Sequence, residues 1–167
     1  MPDYYGTAAG FRLYHAARDN AVPIEAADDD YVVSRLLKAS EWIDGRYRTG
    51  FGGLKVGQRL QVRDWPRSGA YDTFGYSIAS ETVPTEVENA TYEATLKEMS
   101  NPGVLSVDYT PPRYKSVSVT GAVSVTYASF AGVSDLQTHF AIVDQILSPI
   151  LTGCGMVSPL SGSAQRV

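Results

Sequence analysis

The sequence has a single cysteine, Cys154, which excludes an intramolecular disulfide and offers no ligand spacing for a zinc site. A reducing compartment is the expectation. Gly153 and Gly155 flank that thiol without an activating partner nearby, so it reads as an accessible tail thiol rather than a nucleophile. Histidine is nearly as scarce: His15 and His139 stand far apart with no pattern of ligands or carboxylates around them, and neither a metal nor a catalytic role is expected. Both read as ordinary helix-surface or partly buried side chains. Long apolar runs are missing too. None approaches the ~18 residues that span a bilayer, and residues 1–10 lack the basic-then-apolar layout of a signal peptide. The expectation is a soluble protein that is not secreted by that route. Positive charge is also short, with 14 Lys and Arg against 18 Asp and Glu, a formal charge of -4 and a pI near 5.1. That balance argues against a main task of gripping nucleic acid by its phosphates, which calls for a basic face.

Catalytic motifs are equally thin. The run GFGGLKVG at 50–57 suggests a phosphate loop only superficially, because Lys55 is not followed by Ser or Thr and no strand leads into the turn. No nucleophile elbow is present. The acids Asp28, Asp29 and Asp30 are explained by a helix start without any bound cation. We therefore expect no catalytic residues, no metal and no cofactor, and a protein that is not an enzyme.

What is present begins with size: 167 residues, 44% hydrophobic and 19% charged, suffice for one core and one domain with loose ends. The strongest local signal is residues 28–47. Val33, Leu36, Ala39 or Ser40, Ile43 and Tyr47 recur at helical spacing, with acids at the start, Arg46 and Arg48 at the end, and Gly50, Gly52 and Gly53 as the stop. Residues 7–20 form a shorter helix ending near Asn20, and residues 84–99 a third, with Pro84 in its first turn and Asn101, Pro102 and Gly103 closing it. The period then changes. Residues 104–109 and 114–127, rich in Val, Thr, Ser and Tyr, suit strands. A three-residue loop at 120–122 would pair Val119 with Val123 and Val117 with Val125, bringing the valines to one face. Ser134 caps a last helix with Leu136, Phe140, Val143, Leu147 and Leu151 as its stripe, which Pro149 kinks or ends. The fold class expected is mainly α with a small β-hairpin: a compact bundle of about four helices, the Val-rich hairpin between the third and last of them, and flexible termini. Its domains are an arm at 1–6, a helical body at 7–152 with the hairpin at 114–127, and a tail at 153–167 that stays flexible until a partner captures it.

The loop at 61–78 holds Trp65, Tyr71, Phe74 and Tyr76 among Gly, Pro and Arg, and so many aromatics imply order against the long helix. Arginines alternate with them. Arg63, Trp65 and Arg67 could stack on and hold single-stranded nucleic acid. The competing reading packs Trp65 on the long helix and pairs the arginines with Asp44, Asp64 and Asp72, and the acidic total favours it.

The stretch ASEWIDGRYR at 39–48, then WPRSG at 65–69, then VPTEV at 83–87 with Ala90 and Thr91, resembles the tailed-phage family labelled DnaT-like single-stranded-DNA-binding protein. The likeness spans residues 10–153, hairpin and last helix included. The label implies DNA binding, yet the family's members resemble the head-to-tail adaptors of tailed phages, mostly helical proteins that form a twelve-membered ring under the portal. The resemblance thus implies a connector subunit, located in the virion neck and in host cytoplasm before assembly. Its partners would be the portal protein, neighbouring copies in the ring, and a stopper, tail-terminator or other neck protein. Double-stranded DNA would pass through without sequence-specific binding, and no membrane would be involved. Under this reading Gly153, Met156, Val157, Pro159, Leu160 and Val167 are the expected portal or neighbour contacts. The alternative is a single-stranded-DNA-binding replication protein using Arg63, Trp65 and Arg67.

Overall fold

A computed structural model describes residues 3–20, 27–106, 116–119, 123–126 and 139–151. Four α-helices carry the described body: α1 (Ala8–Ala16), α2 (Asp29–Tyr47), α3 (Thr85–Ser100) and α4 (Ala141–Leu147). Each starts where local chemistry permits. Thr7 caps α1 by accepting the Gly10 N–H on its hydroxyl at 2.9 Å, satisfying one of the free donors of a first turn. Asp28 precedes α2, and Asp29 and Asp30 occupy its first turn, the positive end of the helix dipole. Pro84 stands one residue before α3, where its missing N–H and fixed φ cost nothing.

The inward face of α2 keeps the expected phase except at its first position. Val32 is fully buried and Val33 only partly so, while Leu36, Ala39, Ser40, Ile43, Asp44 and Tyr47 complete the inward face. α2 packs on α3, and α3 on α4. Between them lies the main core, in which Ala39, Ile43 and Tyr47 of α2 meet Val87, Ala90 and Ala94 of α3 and Val143 and Leu147 of α4. Alanines at 39, 90 and 94 let the helices approach closely. A second cluster seats α1 through Phe11, Val32, Leu36, Tyr92 and Met99. His15 belongs with it: the imidazole is fully buried, against the surface or partly buried place expected for it.

Helix α3 ends at Ser100, followed by a 3-10 turn at Val104–Ser106 where sequence favoured a strand. The cause is Glu98. Its fully buried carboxylate accepts the N–H of Gly103 at 2.8 Å and of Leu105 at 3.1 Å and pairs with Lys38 at 2.6 Å, drawing the chain back over the helix end. Short strands β1 (Leu54–Lys55) and β2 (Arg67–Ser68) pair antiparallel inside the loop region. The expected hairpin is present as β3 (Ser116–Val119) and β4 (Val123–Thr126), antiparallel, with Val119 opposite Val123 and Val117 opposite Val125. That is the register of a three-residue loop. Helix α4 begins at Ala141, and a 3-10 turn at Ser148–Ile150 containing Pro149 ends it; Ser134 and Leu136 lie outside the described residues. Among the described residues, no helix is long and apolar enough to cross a membrane.

Candidate functional site

Residues 3–6 were expected as a loose arm. They are seated on α2. The Tyr5 N–H donates to Ser40 Oγ at 2.9 Å, and the Tyr5 hydroxyl donates to Asp44 Oδ1 at 2.5 Å while accepting the Trp65 N–H at 3.1 Å. One phenol thereby joins the N-terminus, the long helix and the loop at 61–70. Burial, then the Asp44 charge, push the Tyr5 hydroxyl far above its ordinary pKa. It is a fixed donor at physiological pH. Burial raises the Asp44 carboxyl as well, more than its hydrogen bond from Tyr5 lowers it.

Around this junction the three loop residues offered to a nucleic-acid strand turn inward. Trp65 is 1% exposed, packed edge-on to Phe51 with ring centroids 5.6 Å apart. Arg63 is 9% exposed and reaches Asp44 and Glu41, each at 3.4 Å. Arg67, 8% exposed, donates to four carbonyl oxygens, those of Gly52 at 2.6 Å, Gly53 at 2.8 Å, Phe51 at 3.3 Å and Asp64 at 3.3 Å. A guanidinium spent on backbone carbonyls fixes the glycine turn and has little left for phosphate. Asp64 is buried and holds Arg48 at 2.8 Å and Lys55 at 2.9 Å; burial would raise its carboxyl, but those two cations keep it below the usual carboxylate range. Of the ion pairs expected for the arginines, those with Asp44 and Asp64 form. Asp72 instead accepts the N–H groups of Phe74 and Tyr76, at 2.9 and 2.8 Å.

The remaining aromatics of the loop point the other way, contrary to the expected packing on the helix. Tyr71 is 52%, Phe74 81% and Tyr76 74% exposed. Their loop is nonetheless tightly made: the Asp72 carboxylate bridges two amides, Tyr71 and Ser77 form a β-bridge, and the Thr73 N–H donates to the Pro149 carbonyl at 2.7 Å. A cleft of about 700 Å³, sharing no lining residue with that tip at 71–77, opens between residues 3–6, 57–65 and 82–88. Leu60 and Val62 at the cleft are 93% and 60% exposed. Among the described residues, buried Trp65 Nε1 and Arg63 Nε, both of residues that line it, have no hydrogen-bond partner. Sequence reading missed the cleft and the exposed tip, because neither has a local motif.

His139 was expected to lack a carboxylate, but its Nδ1 lies 2.7 Å from Asp144 Oδ2, whose other oxygen accepts from the Tyr47 hydroxyl at 2.5 Å. This ties the start of α4 to the end of α2. Among the described residues, no cluster of three or more His, Cys, Asp or Glu side chains forms a metal-binding group. The expected contact residues Gly153, Met156, Val157, Pro159, Leu160 and Val167 lie outside the described residues.

Over residues 2–167 the chain matches the family described as "Putative DnaT-like ssDNA binding protein", and it belongs to that family. The description names single-stranded DNA and so sits closer to the DNA-binding expectation than to the connector one. No curated protein and no solved structure matches the chain.

Proposed function

We propose, with membership of that family as the premise, that this protein is a non-enzymatic assembly subunit: a head-to-tail connector of a tailed phage, set as a ring between the portal and the downstream neck protein. The observation that carries the reading is the division of the loop region. Its cations Arg63 and Arg67 and the indole of Trp65 are consumed by the protein's own interior, while Leu54, Val56, Leu60 and Val62, together with Tyr71, Phe74 and Tyr76, are exposed. Apolar and aromatic surface, rather than a basic groove, is what a subunit interface uses. A net charge of -4 supplies no attraction for phosphate. The residues after 151 would reach the portal, with Met156, Val157, Pro159 and Leu160 as their apolar contacts.

The family description favours a second reading, a protein that binds single-stranded DNA. In this structure that reading places the bases on Tyr71, Phe74 and Tyr76, because Trp65 is covered.

One paired experiment separates the two. Purified protein is sedimented with portal rings, and in parallel its binding to a fluorescent single-stranded oligonucleotide is measured at low and near-physiological salt. The connector reading expects stoichiometric capture by the portal with negligible DNA binding. Salt-sensitive DNA binding without portal capture would reverse it. Deleting residues 156–167 is expected to abolish docking on the portal and leave the body folded by circular dichroism; unchanged docking would remove the tail from the contact.

A further inference from the structure

We infer that the aromatic tip at residues 71–77 of one copy docks into the cleft beside Trp65 of the next copy, so that the ring closes through a head-to-tail contact. The inference rests on the assembly reading above and deepens it by naming the two surfaces and their occupant.

The tip is built as a rigid knob. Asp72 Oδ1 accepts from Phe74 N and Tyr76 N, Gly75 N donates to the Asp72 carbonyl at 3.1 Å, and Asp72 N donates to the Tyr76 carbonyl at 2.9 Å. Gly75 sits at φ +87, a left-handed conformation that lets the turn close so tightly. The bond from Thr73 to Pro149 anchors the whole turn to the end of the α4 segment. Three aromatic side chains thus stand in water on a backbone that is already ordered. Such a knob loses little entropy on docking, the property that makes rigid aromatics the anchors of protein interfaces.

The cleft is the matching hole. Tyr4, Leu60, Val62, Trp65 and Val83 give it apolar walls, and the exposed Leu60 and Val62 gain cover only if something enters. The buried donors Trp65 Nε1 and Arg63 Nε lack partners among the described residues, while the tip brings acceptors: the Asp72 carboxylate and the hydroxyls of Tyr71 and Tyr76. Those hydroxyls can equally donate to Asp3 and Glu88, the two acids of the cleft.

Charge selects a protein as the occupant's source over a nucleic acid. Between Arg67 and Lys97 the sequence contains no Lys or Arg, so the knob lacks the cationic setting that single-strand binders place around stacking aromatics. Topology selects a second copy. Knob and cleft share no residue, so each copy can offer one and receive the other at once. A pair of unlike surfaces on one chain makes a heterologous contact, which closes into a ring when the rotation permits.

The test uses the full-length chain in a Cys154→Ser background. One population carries Phe74→Cys and another Leu60→Cys; the two are mixed, assembled with portal rings and treated with a short bifunctional thiol reagent. The expected product is a cross-linked dimer in the mixture, absent from either population alone, and a ladder of higher species when one chain carries both cysteines. Phe74→Ala, at an exposed site, is expected to weaken self-assembly at least tenfold while its urea midpoint stays that of the wild type. Rings that assemble without the cross-link, and assemble equally well with Phe74→Ala, overturn the knob-and-cleft contact but leave the connector reading standing. Failure to assemble, alone or on the portal, overturns both. Loss of oligonucleotide binding by monomeric Phe74→Ala overturns the inference in favour of the nucleic-acid reading.

Discussion

Replacing Trp65 by alanine separates a structural indole from a strand-binding one, and the structure sets the size of the effect. The side chain is 1% exposed and lies in the main core against Phe51, with Ala39 and Ala70 in the same cluster. Removing a large aromatic from such a site costs about 3–5 kcal/mol. One correction lowers this. Trp65 Nε1 is buried without a partner, so truncation also deletes an unsatisfied donor whose burial costs about 1–3 kcal/mol. The lower part of the range, about 3 kcal/mol, is therefore expected. Against a total stability of about 5–15 kcal/mol and a urea slope of roughly 2 kcal/mol per molar, the midpoint should fall by about 1.5 M. Trp65→Phe, which retains a ring and drops the orphan N–H, should cost less than about 1.5 kcal/mol. Urea unfolding followed by far-UV circular dichroism and by the fluorescence of Trp42 measures both variants. A Trp65→Ala protein as stable as the wild type, but unable to bind an oligonucleotide, would refute the buried-anchor argument and restore Trp65 to the strand-binding surface.

Glu98→Ala should cost about 3 kcal/mol, the low end of the range for breaking a buried ion pair from one side, since the amides of Gly103 and Leu105 lose their acceptor while part-exposed Lys38 can turn to water; thermal unfolding reads the loss, and a melting point within a degree of the wild type would show that the turn at 104–106 does not depend on it. Acid should act in two stages. Burial holds the His15 imidazole below its ordinary pKa, its Nε2–H donating to the Tyr92 carbonyl at 3.1 Å, so its contribution is complete above about pH 6.5 and is lost as the pH falls below that value. Burial would raise the Glu98 and Asp64 carboxyls, but their cationic and amide partners hold both below the usual range, so their contributions are present above about pH 4 and go as the pH falls through the depressed values. The raised Asp44 carboxyl acts with the opposite sign and softens the second stage. Chemical unfolding at about pH 7, 5.5, 4 and 2.5 should show His15→Gln flattening only the first stage; an unchanged slope between pH 7 and 5.5 would exclude the imidazole as its cause. Gly53→Ala should destabilise by more than about 1 kcal/mol, because Gly53 has φ +68 and a Cβ there would lie on the Ser68 carbonyl oxygen; a thermal midpoint equal to the wild type would show that the turn relaxes.

Long-range partners explain most of what the sequence did not disclose. Helix α2 was legible because its acidic start, its apolar period and its glycine stop agree along one continuous stretch, residues 28–53. Asp44 was expected to pair with an arginine and does meet Arg63, yet its shortest bond is to the hydroxyl of Tyr5, 39 positions away, and no local pattern records that bond. The strand reading of 104–109 failed at 104–106 for a similar reason, since β propensity there loses to the Glu98 carboxylate. The hairpin register was legible because alternate valines admit one pairing that matches them.

The candidate site shows the limit most clearly. Arg63, Trp65 and Arg67 have the composition of a strand-binding loop yet are buried, as the competing reading expected, while Tyr71, Phe74 and Tyr76, expected against the long helix, stand in water. A guanidinium can be buried when carbonyls surround it, as the turn at 51–53 does for Arg67. Aromatics remain in water when an Asx turn closes the loop before it can fold back, as Asp72 does. The burial of Trp65 and the pairing of Arg63 with Asp44 follow the reading that the acidic total favoured, whereas the exposure of Tyr71, Phe74 and Tyr76 departs from the packing on the long helix expected for them. The half that is outside is aromatic, held on a turn closed by Asp72, and has no Lys or Arg between 68 and 96, and on those features rests the proposal of a protein cleft rather than a phosphate backbone as its partner.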